Sequence, residues 1–437
     1  MDALLDRLTQ RDASGRPLRV GVVGAGKFAT MFLAQARRLR GLQVLGVADL
    51  VPDRARSALL RAGWPEEAIG TTFITDDAQA LIHAPGLDVL VESTGVPAAG
   101  IRHALTAIEA GVHLVMVNVE ADALAGPLLA RRARERGVVY SLAYGDQPAL
   151  ICELVAWARA AGFEVTAAGK GTKYLPAYHA STPDTVWEHY GLTAEQAASG
   201  GMNPRMFNSF LDGTKSAIEM AAVANATGLV PQPEGLGFPP AGIRDLPQVC
   251  RPRQAGGTLA HAGTVEVVSS LYRDGRQVEG DLRWGVYVTF EAPGDYVRRC
   301  FAEYGLVTDE SGRFAALYRP YHLVGLELSV SVLRVGLLGE PTGAPVACQG
   351  DVVAAAKRDL RAGERLDGEG GYTVYGVLRR AEESVRAGML PIGLAHGVRL
   401  VRDVRAGRIV GYEDVAIDPA DPTLRVRREM EAACLPP

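Results

Sequence analysis

The first clear pattern in the chain begins at Leu18. The run Leu18-Arg-Val-Gly-Val-Val23 is nearly continuous in apolar, β-branched side chains, as a strand covered on both faces requires. Met31-Phe-Leu-Ala-Gln-Ala-Arg-Arg-Leu39 then places its apolar residues at helical spacing. The alternation continues. Residues 43–49 read as a strand, 87–95 as a buried strand ending in a small polar turn, and 99–110 as a helix. Residues 112–118 form the next strand, 120–136 a helix, and 138–143 a strand that ends at Tyr144-Gly-Asp-Gln-Pro148. Strand and helix at this rhythm predict an α/β fold with a doubly wound parallel sheet over residues 16–150.

The turn after the first strand carries chemistry. Gly24-Ala-Gly26-Lys27-Phe28-Ala29 is a G-x-G-x-x-A run between strand and helix. In that setting the glycines admit a pyrophosphate to the backbone and the helix N-terminus stabilises its charge. Asp49 closes the second strand at the place where a carboxylate accepts from adenosine ribose hydroxyls. Arg54 and Arg56 follow closely and suit a 2′-phosphate instead, so NAD(H) and NADP(H) both remain open. Ligands of such sheets gather at the C-terminal strand ends, which directs Ser93, Thr94, Gly95, Asn118, Glu120 and Asp146 toward one crevice. Each of these residues alone also suits a turn or a helix cap.

After Pro148 the pattern changes. A helix over 148–161 leads to a strand over 163–169, and Lys170-Gly-Thr-Lys173 follows as a Gly/Thr-rich turn. Two lysines there fit a phosphate, a carboxylate or a developing enediolate, and equally a solvated surface. Residues 201–219 are dense in polar groups, Asn203, Arg205, Asn208, Lys215 and Glu219 among them, yet studded with Met and Phe. A helix is predicted from Asn208, with Lys215 and Glu219 one turn apart on one face. They read as an acid/base pair or as a plain i,i+4 ion pair in its less favourable order. Residues 265–271 and 284–290 read as strands of an antiparallel sheet in a substrate and dimerisation domain. Tyr318-Arg-Pro-Tyr321-His322 opens an apolar helix over 323–338, and His322 suits a general acid, a phosphate donor or a structural role.

Composition narrows the partners. Glycine is in excess, 50 of 437 residues, which fits tight turns and close backbone approaches. A net charge of −4 without a basic cluster argues against nucleic acid. Cys152, Cys250, Cys300, Cys348 and Cys434 are odd in number and dispersed, so reduced and mostly buried thiols are expected. The acidic, amphipathic N-terminus is unlike a signal peptide, and no apolar run approaches the roughly 18 residues of a membrane helix. A soluble cytoplasmic chain with no membrane partner is the expectation.

An approximate repeat lies within residues 350–417. Lys357-Arg-Asp-Leu-Arg-Ala-Gly-Glu-Arg-Leu366 is echoed by Val401-Arg-Asp-Val-Arg-Ala-Gly-Arg-Ile-Val410. Each copy reads as strand, Arg-Asp, tight Ala-Gly turn and strand, and the segment resembles a SAF domain, a small β-clip fold. Longer motifs widen the resemblance: Ala168-Gly-Lys-Gly-Thr-Lys-Tyr-Leu-Pro176, Ser181-Thr-Pro-Asp-Thr-Val-Trp187 and Met202-Asn-Pro-Arg-Met-Phe-Asn-Ser-Phe-Leu-Asp-Gly-Thr-Lys215. Pro320-Tyr-His-Leu-Val-Gly-Leu-Glu-Leu328 and Asp367-Gly-Glu-Gly-Gly-Tyr-Thr-Val-Tyr-Gly376 complete the set. Nearly end to end, the chain resembles homoserine-dehydrogenase-like oxidoreductases with a C-terminal SAF domain, in particular the deoxyxylulose-phosphate-reductoisomerase-like family.

The resemblance implies three parts: a Rossmann NAD(P)-binding domain over 1–150, an α+β catalytic and dimerisation domain over 151–349, and a β-clip domain with tail over 350–437. It further implies NAD(P)H-dependent conversion of 1-deoxy-D-xylulose 5-phosphate to 2-C-methyl-D-erythritol 4-phosphate, a skeletal rearrangement followed by reduction of the aldehyde. Lys170 and Lys173 would then stabilise oxyanion or phosphate, and Asn203, Arg205 and Asn208 would orient the substrate. Lys215 and Glu219 would exchange protons, while Tyr321 and His322 would close the phosphate pocket. The well-known reductoisomerases hold a divalent metal through clustered acids. No such cluster stands in this sequence, so dependence on magnesium or manganese is open. Two alternatives stand beside this reading. One is an oxidoreductase or oxido-isomerase of another sugar, sugar acid or amino-acid derivative; the other is a non-catalytic nicotinamide- or sugar-binding regulator. A homodimer is expected, because the middle sheet and apolar helices offer more edge than one subunit covers.

Overall fold

The computed structural model describes residues 2–435. The chain forms two compact units. One runs to Glu153 and includes His322–Val346; the other comprises Leu154–Tyr321 and the chain from Ala347 onward.

The first unit is built on a six-stranded parallel sheet. Its strands are β1 (Leu18–Val23), β2 (Leu42–Ala48), β3 (Phe73–Thr75), β4 (Val89–Glu92), β5 (His113–Met116) and β6 (Tyr140–Leu142). Their order, β3-β2-β1-β4-β5-β6, is that of a Rossmann fold, with the reversal between β1 and β4. The five strands read from the sequence are the four inner strands and the edge strand β6, with the central ones buried on both faces, as at Leu18, Val20, Val22, Val89 and Val91. β3 has three residues and carries no pattern long enough to read.

Residues 323–338 were expected as one helix. Instead the chain turns until Leu328, then forms a short helix, Ser329–Leu333, and a π-helical turn, Arg334–Leu338. Gly325 is the physical reason: it is left-handed, at φ 72°, and a Cβ there would lie 2.6 Å from the Phe28 carbonyl oxygen. Val332, Leu333, Val335 and Leu337 still bury their side chains, joining the β1 core together with Leu4 and Leu8 of the helix Asp2–Ala13.

The second unit carries a five-stranded sheet in the order β10-β11-β9-β7-β8. These are β7 (Glu164–Thr172), β8 (Thr264–Ser269), β9 (Val286–Glu291), β10 (Val307–Thr308) and β11 (Phe314–Arg319). The expected antiparallel sheet is corrected to a mixed one, because β8 runs parallel to β7. The long connection between them, which includes the helix Thr214–Thr227, is the crossover that a parallel pair needs. A second correction concerns Lys170. The strand does not stop at Gly169 but continues to Thr172, so Lys170 lies inside β7 rather than in a turn. Gly169 and Gly171 mark close backbone approach: a Cβ would fall 1.8 Å from the Glu266 carbonyl oxygen and 2.0 Å from that of Leu282.

Beyond this sheet, β12 (Gly350–Ala356) pairs antiparallel with β14 (Val374–Arg380). β13 (Arg365–Asp367), β15 (His396–Leu400) and β16 (Val415–Ala416) form a second small sheet. The two repeat copies bind each other reciprocally. Leu360 and Val404 exchange backbone hydrogen bonds at 2.8 and 2.9 Å. Asp359 accepts from the Ala406 N–H and Asp403 from the Ala362 N–H, both at 2.9 Å. The turn glycines, Gly363 and Gly407, are both left-handed.

The expectation of five reduced thiols is corrected at two of them, since Cys348 and Cys434 form a disulfide. Their separation of 86 residues hides the pairing in the sequence. The C-terminal helix Pro422–Cys434 brings them together through the buried Arg427, which donates to both Asp351 carboxylate oxygens at 3.0 and 2.6 Å and to Glu431 at 2.8 Å. Among the described residues no helix is long and apolar enough to cross a membrane.

Candidate active site

At the reversal point of the first sheet, the glycine loop has the form a dinucleotide needs. Gly24 is left-handed at φ 92°, and a Cβ there would stand 2.8 Å from the Ser93 carbonyl oxygen. Gly26 is the N-cap of the helix Lys27–Ala36, contributes no side-chain cap, and has open space where its Cβ would be. The first-turn N–H groups are therefore presented without a competing side chain, which suits a pyrophosphate. Ala29, fully buried, permits close packing of the helix on the sheet, with half-buried Phe28 beside it and Lys27 exposed. Asp49 braces the loop, accepting from the Ala25 N–H at 2.9 Å and the Val51 N–H at 3.0 Å. Arg54 reaches to 3.9 Å from the same carboxylate while remaining largely exposed.

The other nucleotide-side residues form one hydrogen-bonded set. The Ser93 hydroxyl donates to the Val23 and Gly24 carbonyls at 2.9 and 3.0 Å, tying β4 to the loop. Asn118 caps the helix Val119–Glu135 through the Ala121 N–H, and its amide donates to Thr94 at 3.2 Å and to the Val96 carbonyl at 3.0 Å. Thr94 in turn donates to Glu92 at 2.6 Å. Gly95 is left-handed with open space around it, and Glu120 lies in the first turn of the Asn118-capped helix. Glu92, which pairs with buried His103 at 3.2 Å, was hidden inside an apolar strand pattern. Asp122, in the first turn of the helix Val119–Glu135, was hidden among apolar neighbours too; its carboxyl accepts from the Tyr140 hydroxyl at 2.7 Å and is pushed by burial up to about 7.

In the second unit, Lys170 and Glu219 form a buried ion pair between β7 and the helix Thr214–Thr227, with side chains 6% and 3% exposed. Lys215 stands one turn before Glu219 on that helix, half-buried. Lys173 lies just past the end of β7, its ammonium donating to the His189 carbonyl and sitting 5.5 Å from the Tyr190 ring. Burial and the neighbouring Arg283 charge lower its pKa from the ordinary lysine value.

The helix expected from Asn208 is two helices, Pro204–Leu211 and Thr214–Thr227, divided at left-handed Gly213. Asn203 caps the first by accepting from the Arg205 and Met206 N–H groups. Arg205 donates to the Asp367 carbonyl at 2.9 Å. Asn208 is fully buried, accepting from Ser181 at 2.7 Å and donating to the Ser181 and Gly370 carbonyls at 3.1 Å. Next to it stands a second buried pair, Asp212 with Lys357, at 2.7 Å. Burial raises the Asp212 pKa against the pull of Lys357. Lys357 was not singled out in the sequence; the signal that could have marked it is the repeat, which sets a lysine there against Val401 in the other copy. Tyr321 ends the second unit's main segment, exposed, whereas His322 begins the segment that belongs to the first unit.

His179 closes this region. Its Nδ1 faces the Asp212 carbonyl oxygen at 2.7 Å, and because a carbonyl only accepts, that nitrogen carries the proton. Nε2 then accepts from the Tyr174 hydroxyl at 2.8 Å. Burial lowers the His179 pKa, consistent with a neutral ring. Among the described residues no group of three or more His, Cys, Asp or Glu side chains is placed to hold a metal ion.

Residues 20–142 match the sequence model of the homoserine dehydrogenase NAD-binding domain, and residues 145–328 that of the oxidoreductase DRL catalytic domain. The 1-deoxy-D-xylulose 5-phosphate reductoisomerases of Anaeromyxobacter sp. (strain K) and Anaeromyxobacter dehalogenans are each 38% identical over 133 residues, 29% of this chain and 32% of theirs. The chain thus spans about a third of the length of these relatives. Solved structures with similar parts include scyllo-inositol dehydrogenase of Lactobacillus casei, 14% identical over 39% of this chain and 50% of that one, with TM-score 0.28. Biliverdin reductase of Synechocystis is 21% identical over 42% and 55%, with TM-score 0.27. The matched segments thus pair an NAD-binding domain of the homoserine dehydrogenase type with an oxidoreductase DRL catalytic domain, the two parts that a nicotinamide-dependent oxidoreductase requires.

Proposed function

We propose that the protein is a reductoisomerase that converts 1-deoxy-D-xylulose 5-phosphate to 2-C-methyl-D-erythritol 4-phosphate with NADPH or NADH. The observation that carries this reading is the buried Lys170–Glu219 pair within the DRL-matched segment, supported by the activity named for the Anaeromyxobacter relatives. The rearrangement is an isomerisation: one carbon–carbon bond breaks, another forms, and an aldehyde results with no net change of atoms. Reduction then adds a hydride and a proton to that aldehyde. The nicotinamide, when bound, supplies the hydride.

The chain's own residues must stabilise the oxyanion and deliver the proton. Lys170 suits both tasks, because its ammonium is shielded from water beside a carboxylate that can share the proton. Lys173 and Arg205 offer cationic anchors for the phosphate, and Asn203 and Asn208 act as positioning residues, fixing the helix Pro204–Leu211 that precedes the one carrying Lys215 and Glu219. No step is assigned to a metal ion, for which the described residues form no site. The reading takes the enzyme as a homodimer in the cytoplasm, although disulfides are uncommon there. Substitution Lys170→Met should lower kcat by about 10²–10⁴-fold while leaving NADPH affinity unchanged. Wild-type turnover in that variant would remove Lys170 from the chemistry.

A further inference from the structure

The second unit contains a cavity of about 220 Å³ that no part of the reductive reading uses. His179, Glu234, Phe238, Tyr375, Arg379 and Ile409 are on its wall, and neither Lys170 nor Glu219 lines it. Three polar groups on this wall make no hydrogen bond or ion pair with any described residue: the Arg379 guanidinium, the Glu234 carboxylate and the Tyr375 hydroxyl. Opposite charges sharing one wall without meeting leave a cation and an acceptor for a third group.

The wall itself is held rigidly. Phe238 is the one non-glycine residue with positive φ among the described residues, at 49°. Such a conformation costs about 1–3 kcal/mol and persists only where its surroundings impose it. Here the buried Glu266 carboxylate accepts from the Gly237 and Phe238 N–H groups at 3.0 and 3.2 Å. Arg273 donates to the carbonyls of the same two residues at 2.9 and 3.0 Å. The Phe238 ring stacks on Tyr174 at 3.9 Å, and His179 stacks on Tyr375 at 4.3 Å. Tyr375 is thereby oriented by a histidine whose two nitrogens are already engaged.

The chemistry of the wall defines its ligand. A guanidinium binds carboxylate or phosphate through two parallel N–H groups. A carboxylate only accepts, so Glu234 suits ligand hydroxyls, and the Tyr375 phenol both donates and accepts. Leu236, Val377 and Ile409 offer apolar surface for a carbon backbone. At roughly 30 Å³ per water, the space equals roughly seven waters, below the ~300 Å³ where drug-sized sites begin.

We propose that this cavity binds a small polyhydroxylated anion, a sugar acid or sugar phosphate, held by Arg379 at its charged group and by Glu234 and Tyr375 at its hydroxyls. The site needs neither cofactor nor turnover, so it stands or falls separately from the reductoisomerase reading.

The test is calorimetric titration of the full-length protein, free of cofactor, with D-erythronate and with D-erythrose 4-phosphate, and with erythritol as the uncharged control. Saturable binding of at least one anion is expected, with none of erythritol over the same range. The anion that binds identifies carboxylate or phosphate as the preferred group. Arg379→Gln and Glu234→Gln alter half-buried or exposed side chains, and each should weaken that anion at least tenfold while NADPH binding in the first unit is retained. Absence of saturable binding by either anion, equal binding of erythritol, or anion affinity unchanged in both variants would overturn the proposal. Failure to turn over 1-deoxy-D-xylulose 5-phosphate would leave it intact.

Discussion

A buried ammonium is tolerable only beside a counter-charge, and Glu219 supplies one to Lys170. Two other buried acids lack such a partner. Burial pushes Asp122 and Glu266 both up to about 7. The folded chain therefore keeps protons there that the unfolded chain releases near the ordinary carboxylate value of about 4. Their contribution to stability is complete below about pH 4 and is lost as pH rises toward 7, because over that window the unfolded state binds fewer protons. Asp122→Asn removes one of the two titrations while preserving an acceptor for the Tyr140 hydroxyl. In urea unfolding, the difference between variant and wild type should shift in the variant's favour from pH 4 to pH 7, by on the order of 3–4 kcal/mol. A difference independent of pH would contradict the assignment. These acids were not legible in the sequence: Asp122 sits in a helix and Glu266 in a strand whose patterns are otherwise those of ordinary apolar elements.

At the scale of elements, glycine meant different things at different places. Gly24 and Gly26 form the turn their spacing suggested, because strand and helix flank them on either side. Gly169 and Gly171 looked like a turn and are strand interior, since only the structure reveals how near the backbones of Glu266 and Leu282 pass. Gly169→Ala should therefore disrupt the β7–β8 pairing and cost about 3 kcal/mol or more, measured by denaturant unfolding, whereas a cost below 1 kcal/mol would show that β8 can move aside. The C-terminal helix gives a second case. Among the described residues, removing Arg427 leaves the Asp351 carboxylate buried with only Ser384 donating to it from a side chain. Arg427→Ala should cost about 3–5 kcal/mol, and near-wild-type stability would mean the Cys348–Cys434 bond holds the helix alone. That helix, the disulfide and the return of residues 322–346 to the first unit are long-range events, and no local pattern of polarity encodes them.

At the scale of the molecule, a Rossmann unit with an uncapped glycine loop supplies a nicotinamide site, and a second unit gathers buried lysines on and beside a mixed sheet. The βα rhythm made the parallel, doubly wound sheet of the first unit readable in advance, though not its short third strand. The second was readable mainly through motifs, whose residues divide between structural tasks, as at Asn203 and Asn208, and groups with chemistry to offer, as at Lys170 and Glu219. The central claim is that these groups drive reductive isomerisation of a sugar phosphate. The most direct measurement follows the absorbance of NADPH and NADH with 1-deoxy-D-xylulose 5-phosphate, with and without magnesium or manganese, and identifies the product by mass and NMR. The account predicts substrate-dependent loss of reduced cofactor and formation of 2-C-methyl-D-erythritol 4-phosphate. Intact cofactor binding with no substrate-dependent loss under any of these conditions would contradict it.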